Sequence, residues 1–159
     1  MWNSTENVEV DSIKAENDIV YSKTRTDGEE DYEEAVKLYD DYHSGKIKNL
    51  DYTIVGNVSR IKRMKNEPLY QKVPVTALNL GKIGIIGLGG EPFTQYAVKI
   101  RESLKDRFII TCCLTNGGEG YLPIKEAYDE GGYETACSAF SPDIEEECVN
   151  KAVELLNRQ

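Results

Sequence analysis

The stretch KIGIIGLGGEPFTQYAVKIRESLKDRFIITCCLT, residues 82–115, decides the fold. Two apolar runs, 82–88 and Phe108–Leu114, flank a segment in which apolar residues recur at helical spacing up to about Lys105. Strand, helix and strand in this order predict a parallel βαβ unit (about residues 82–115) with a right-handed crossover. Because Phe108–Leu114 is apolar almost throughout, we predict a central strand that is covered on both faces.

Further strands precede this unit. Val73–Leu80 reads as a strand that ends at Gly81, so its short connection to residues 82–88 predicts an antiparallel hairpin. Near the N-terminus, alternation predicts two short extended stretches, Val8–Ser12 and Ile19–Lys23. The parallel unit and the hairpin together predict a mixed sheet.

Helices complete the prediction. Helical periodicity covers Asp31–His43 and about Tyr52–Lys65, and Pro92 is expected at the first position of the crossover helix. Near the C-terminus, Ser141 caps a last helix whose first turn is acidic. We therefore expect an α/β fold in which helices pack on a mixed sheet, with a C-terminal helix, as one domain over residues 1–159.

Composition excludes several function classes. The 159 residues carry a formal net charge of −9, which argues against binding to nucleic acid. No apolar run reaches the roughly 18–20 residues that span a bilayer, and residues 1–10 lack the pattern of a secretory signal. The four cysteines form no C-x-x-C pair, which disfavours a zinc knuckle. Reduced, mostly structural thiols in a cytoplasmic protein are the default expectation.

Two loops are candidates for chemistry. Gly89–Pro92 and Asn116–Tyr121 each follow a predicted parallel strand, and ligands of open α/β sheets gather at that edge. If the strands are neighbours, Glu91 and Tyr121 face one crevice as two oxygen donors. Other interpretations stay open at this point: a phosphate cradle formed by the glycines, a helix-start acid for Glu91, and a half-buried aromatic residue for Tyr121.

A set of motifs in the second half of the chain resembles one family. GEPF (90–93), TNGGEGYLP (115–123), KEAY (125–128) and EGGYE (130–134) together resemble the neutral ceramidases and their bacterial relatives. The resemblance covers about the last half of the chain and corresponds to the C-terminal portion of the catalytic domain. It implies that the chain shares part of the fold of these enzymes, which are zinc amidases that hydrolyse the N-acyl bond of ceramide.

The resemblance also assigns residues. In the family, two histidines from the N-terminal part and a glutamate and a tyrosine from the C-terminal part hold the zinc. The last two match Glu91 and Tyr121, whereas Asn116 and Tyr133 fall in positions that imply pocket lining. The histidines and the serine-bearing active-site segment have no counterpart, so no catalytic residue is assigned, and the one histidine, His43, is interpreted as structural.

Three functions from different classes follow. The first is a ceramidase-like half that is inactive until a partner chain supplies the histidines, with zinc bound only in the complete assembly. The second is a non-catalytic oligomeric scaffold, and the third is an independent enzyme that uses Glu91, Glu119 and Lys125. The first two predict association, either as a homo-oligomer or with a partner chain that supplies the N-terminal half, because half a scaffold exposes apolar surface.

Overall fold

The computed structural model describes residues 7–25, 32–64 and 69–158, with the backbone alone for 62–64. The α/β fold class is confirmed. The elements in chain order are β1 (Lys14–Lys23), α1 (Tyr32–His43), α2 (Tyr52–Met64), β2 (Tyr70–Leu80), β3 (Ile83–Leu88), β4 (Glu91–Pro92), α3 (Thr94–Ser103), β5 (Phe108–Cys112), β6 (Tyr121–Leu122), α4 (Lys125–Glu130), α5 (Tyr133–Cys137) and α6 (Ile144–Asn157).

The main sheet has four strands in the order β1-β2-β3-β5. Strands β1, β2 and β3 pair antiparallel, whereas β3 and β5 pair parallel and are connected through α3. The predicted hairpin and the predicted βαβ unit are therefore both confirmed. A second, small sheet consists of β4 and β6, which pair parallel.

One face of the main sheet is covered by α3 and α6. The buried stripe of α6 contains Ile144, Cys148, Ala152 and Leu155, as its helical spacing predicts. These side chains pack with the inward residues of the strands into one core. Helix α2 packs against α1 and against α5, beside the small sheet.

Three predicted boundaries are wrong. Ser141 does not cap the last helix, because α6 begins at Ile144 after Asp143 and has no side-chain cap. Residues 8–12 form no strand, and β1 is instead a single strand that runs through the polar residues 14–18. Pro92 lies in β4 rather than at the start of the crossover helix, which begins at Thr94. The backbone around Pro92 is held by pairing with β6, because the Glu91 N–H donates to the Gly120 carbonyl (2.8 Å) and the Phe93 N–H donates to the Leu122 carbonyl (3.1 Å).

The prediction that Phe108–Leu114 forms a central strand is also wrong. Among the described strands β5 lies at the edge of the sheet, and only Ile109 of its apolar residues is buried. Phe108 and Ile110 point to the opposite side, which we call the open face. The open face consists of the odd-numbered residues of β1 and β3 and the even-numbered residues of β2 and β5, and no helix of the described residues covers it.

Two further expectations concern the whole chain. Every helix among the described residues is too short or too polar to cross a membrane. None of the four cysteines, all within the described part, forms a disulfide.

Candidate functional site

The small sheet positions the two predicted oxygen donors. Glu91 and Tyr121 are paired residues of β4 and β6, so their Cα atoms lie side by side on parallel strands. Side chains at paired positions of neighbouring strands point to the same face of a sheet. The carboxylate is exposed and the phenol is half-buried, which leaves the pair open to solvent.

Glycines make this pairing sterically feasible. A Cβ atom on Gly90 would lie 2.7 Å from the Gly120 carbonyl oxygen and 2.9 Å from the Leu122 side chain. Gly120 itself has a φ of 83°, in the left-handed region that favours glycine. The glycines of these loops therefore allow the backbones of β4 and β6 to approach each other closely enough to pair.

The charge of Glu91 acts on the phenol of Tyr121. The neighbouring carboxylate raises the pKa of Tyr121 above its ordinary value, and partial burial raises it further. The phenol is therefore protonated at neutral pH. A cation placed between the two groups would oppose the charge of Glu91 and favour the phenolate.

Tyr133 joins this pair from the first turn of α5. Its ring lies edge-on to that of Tyr121, with 6.0 Å between ring centroids and 73° between ring planes. Its pKa is also raised, chiefly by a hydrogen bond with Cys137. Glu91, Tyr121 and Tyr133 thus form one cluster, which we call the candidate site.

Two supporting residues were missed by the sequence reasoning. Cys137 lies four positions after Tyr133 on α5, a spacing that places both on one helix face and that the sequence does show. The buried Ser138 donates its hydroxyl to the Tyr121 carbonyl (3.0 Å) and thereby fixes β6. Nothing in the local sequence signals this contact, because it joins residues that are distant along the chain.

Asn116 has a different environment. Its side-chain amide donates to the Thr76 hydroxyl (2.9 Å), which in turn donates to the Asn17 side-chain oxygen (2.9 Å). Asn116 also lines a shallow cavity of about 520 Å³ on the open face, together with Ile19 and other residues. Within the described residues, it has no hydrogen bond to the Glu91–Tyr121 pair, and its role beside the candidate site stays a prediction.

The other candidate residues lie elsewhere. His43 is exposed on α1, where its Nδ1 atom is 2.8 Å from the Tyr39 carbonyl oxygen and its ring stacks on Tyr39 at 4.1 Å between centroids. Lys125 lines a separate cavity next to α6. Across residues 7–25, 32–64 and 69–158, no three His, Cys, Asp or Glu side chains lie close enough together to hold one metal ion.

Comparison with known proteins identifies the architecture. No protein-family model and no curated protein sequence matches the chain. Among solved structures, the neutral ceramidase from Pseudomonas aeruginosa superposes with a TM-score of 0.58 at 12% sequence identity, over 91% of this chain and 28% of the ceramidase chain. The fold is ceramidase-like. A ceramidase complexed with C2 also matches, with a TM-score of 0.49 at 18% identity, over 56% of this chain and 15% of that chain.

These figures define what is shared. At 12% identity the likeness to the Pseudomonas aeruginosa enzyme shows the fold. The chain spans 28% of that enzyme's chain and 15% of the other ceramidase chain. The ceramidase-like fold expected from the motifs is supported. The assignment of ligands to Glu91 and Tyr121 stays a prediction.

Proposed function

We propose that this chain corresponds to the C-terminal portion of a ceramidase-like catalytic domain and supplies two ligands, Glu91 and Tyr121, to a zinc amidase centre. The observation that carries the proposal is the pairing of these two residues on β4 and β6. The ceramidase-like fold supports the proposal independently of the motifs.

The donor set fits zinc only in part. A carboxylate is a common zinc ligand, but catalytic zinc normally has three protein ligands, with nitrogen or sulfur among them. Tyr121 is protonated at neutral pH because the pKa of its phenol is raised by Glu91, so a metal must first displace that proton. Zinc in such a centre supplies Lewis acidity to the amide carbonyl.

The chain's own residues have defined tasks in this proposal. Glu91 contributes the negative charge that attracts the cation, and Tyr121 contributes a second oxygen on the adjacent strand. The edge of the Tyr133 ring restricts the position of the Tyr121 ring. The chain has one histidine, His43, which lies on α1 in contact with Tyr39. The two imidazole ligands therefore come from another polypeptide that carries the N-terminal half of the scaffold.

Zinc binding tests the proposal. The isolated chain should bind zinc no more tightly than roughly micromolar, because two oxygen donors make a weak site. Co-expression with a chain that carries the two histidine motifs should give tight, stoichiometric zinc and cleavage of a fluorogenic N-acyl amide. Glu91→Gln and Tyr121→Phe should each weaken zinc binding by the complex.

Glu119→Gln is the matched control, because Glu119 is an exposed acid in the same loop as Tyr121 and is not part of the proposed ligand set. Equal loss of zinc from Glu119→Gln and Glu91→Gln would refute the assignment. Stoichiometric zinc and amidase activity in the pure single chain would refute the need for a partner.

A second candidate function is an oligomeric scaffold without chemistry. The open face favours it, because an uncovered apolar sheet face is a surface for association whether or not a metal is bound. Association without zinc binding in any complex would favour this alternative. Metal analysis and measurement of mass in solution separate the two.

A further inference from the structure

The open face is depleted of negative charge. The sequence has 28 acidic residues, yet none of the side chains that the register assigns to the open face is acidic. Lys23 and Lys72 are its only charged residues on the four described strands, and Lys72 lies over the ring of Tyr21 at 5.7 Å. The acids of β1, Glu16 and Asp18, point to the helix side. Depletion of charge is typical of the centre of protein interfaces.

The exposed apolar area on this face is large. Five of its side chains are substantially exposed: Ile19 (39%), Tyr21 (57%), Tyr70 (50%), Phe108 (68%) and Ile110 (39%). At about 200 Å² for a fully exposed side chain of this size, they leave about 500 Å² of apolar surface uncovered. They lie in two groups, one at each end of the open face. The hydrogen-bonded polar side chains of Asn17, Thr76 and Asn116 separate Ile19, Tyr21 and Tyr70 from Phe108 and Ile110. With the half-buried Leu78, Leu80, Ile83 and Ile85 beside them, the face approaches the roughly 800 Å² that each partner buries in a standard interface.

The β5 edge of the main sheet is partly protected, unlike the open face. In β5, the Phe108 N–H donates to the Lys82 carbonyl, so the backbone groups of Ile109 point away from β3. Arg101 on α3 donates its Nε–H to the Ile109 carbonyl at 3.1 Å. A side chain that caps an edge carbonyl hinders the addition of another strand. Addition of a strand at β5 is therefore less favourable than packing on the open face.

We propose that a second copy of this chain packs on the open face, so that two sheets lie face to face between two outer layers of helices. Sheets in such packings lie about 10 Å apart and interdigitate their side chains. Two chains of charge −9 can approach in this way because no carboxylate lies at the contact. Repulsion between the more distant acids is screened beyond roughly 8–10 Å at physiological salt. The interface needs no metal, so it can exist whether or not the zinc proposal holds.

Sedimentation velocity of the purified chain, from micromolar to hundreds of micromolar, tests the proposal. We expect a monomer–dimer equilibrium that shifts toward dimer at higher salt, because salt screens repulsion and strengthens apolar contact. Phe108→Glu and Tyr21→Glu, on opposite edges of the face, should each raise the dissociation constant about 30-fold or more if these aromatic residues are interface anchors. Val98→Glu is the matched control, because Val98 is exposed on α3 and not on the open face.

Circular dichroism verifies that each variant is folded. The two face variants lie on different strands, so a folding defect in one of them still leaves the other as a test. A dimer lost in both face variants and kept in Val98→Glu supports the proposal. A chain that stays monomeric at hundreds of micromolar overturns it and assigns the face to another occupant. A dimer that persists in Phe108→Glu and Tyr21→Glu also overturns it.

Discussion

The contact between Gly90 and Gly120 leads to a quantitative prediction for Gly90→Ala. A Cβ atom at position 90 would lie 2.7 Å from the Gly120 carbonyl oxygen, whereas ordinary contact begins at 3.4 Å, so the strands must separate by about 0.7 Å. The same carbonyl accepts the hydrogen bond from the Glu91 N–H. The substitution therefore acts directly on the pairing of β4 with β6.

The expected loss of stability is moderate. Overpacking of this kind costs about 1–3 kcal/mol. Replacing glycine by alanine returns about 0.4–1 kcal/mol, because the unfolded chain has less conformational freedom. The net loss is about 1–2 kcal/mol, which lowers the Tm by about 2–8 °C for a domain of this size. Urea and thermal unfolding, followed by circular dichroism, measure both quantities.

Gly118→Ala provides the control within the neighbouring loop. A Cβ atom on Gly118 would meet no atom within 4 Å, so this change should leave stability unchanged or raise it by about 0.4–1 kcal/mol. If Gly90→Ala and Gly118→Ala unfold at the same urea concentration, the argument from close backbone packing is wrong. Separation of the strands should also bring the pKa of Tyr121 closer to its ordinary value.

Three further substitutions test the candidate site and its loops. Glu91→Gln removes the charge that disfavours the phenolate, so the pKa of Tyr121 should fall. A ¹³C-tyrosine NMR titration measures this pKa, with the Tyr121 signal assigned from Tyr121→Phe. An unchanged pKa would show that the two groups do not interact. Ser138→Ala should destabilise the fold by about 1–3 kcal/mol in urea unfolding, because it removes a buried donor to the Tyr121 carbonyl; full stability would mean that this hydrogen bond does not fix β6. Leu114 is exposed and has a φ of 52°, a backbone conformation that asparagine tolerates better than leucine. Leu114→Asn should therefore raise the free energy of unfolding by about 1 kcal/mol. A lower free energy of unfolding would contradict backbone strain at this residue.

Local patterns were sufficient for the elements and for much of their order. The spacing of apolar residues located α3 and α6, and the short Gly81 turn indicated the antiparallel pairing of β2 and β3. The position of two loops after neighbouring parallel strands also predicted that Glu91 and Tyr121 lie together. These inferences succeed because backbone periodicity and chain connectivity determine them.

The remaining features depend on distant parts of the chain. An apolar run such as Phe108–Leu114 predicts burial but does not reveal whether this chain or another molecule covers the second face. Pro92 is acceptable at a helix start, and only the presence of β6 holds it in a strand instead. Ser138 contributes through one contact to Tyr121 that no local pattern encodes.

The smallness of the β4–β6 pairing has a consequence for when the two oxygen donors come together. Positions 91 and 121 are separated by a helix and a strand, so their pairing depends on the docking of α3 and β5 and carries the entropic cost of closing that segment. Two residues on each side give little resistance to local opening once the chain is folded. The amide protons of Glu91 and Phe93 should therefore exchange with solvent sooner than those in the centre of β2, so the donor pair would separate by local fluctuation while the main sheet stays paired.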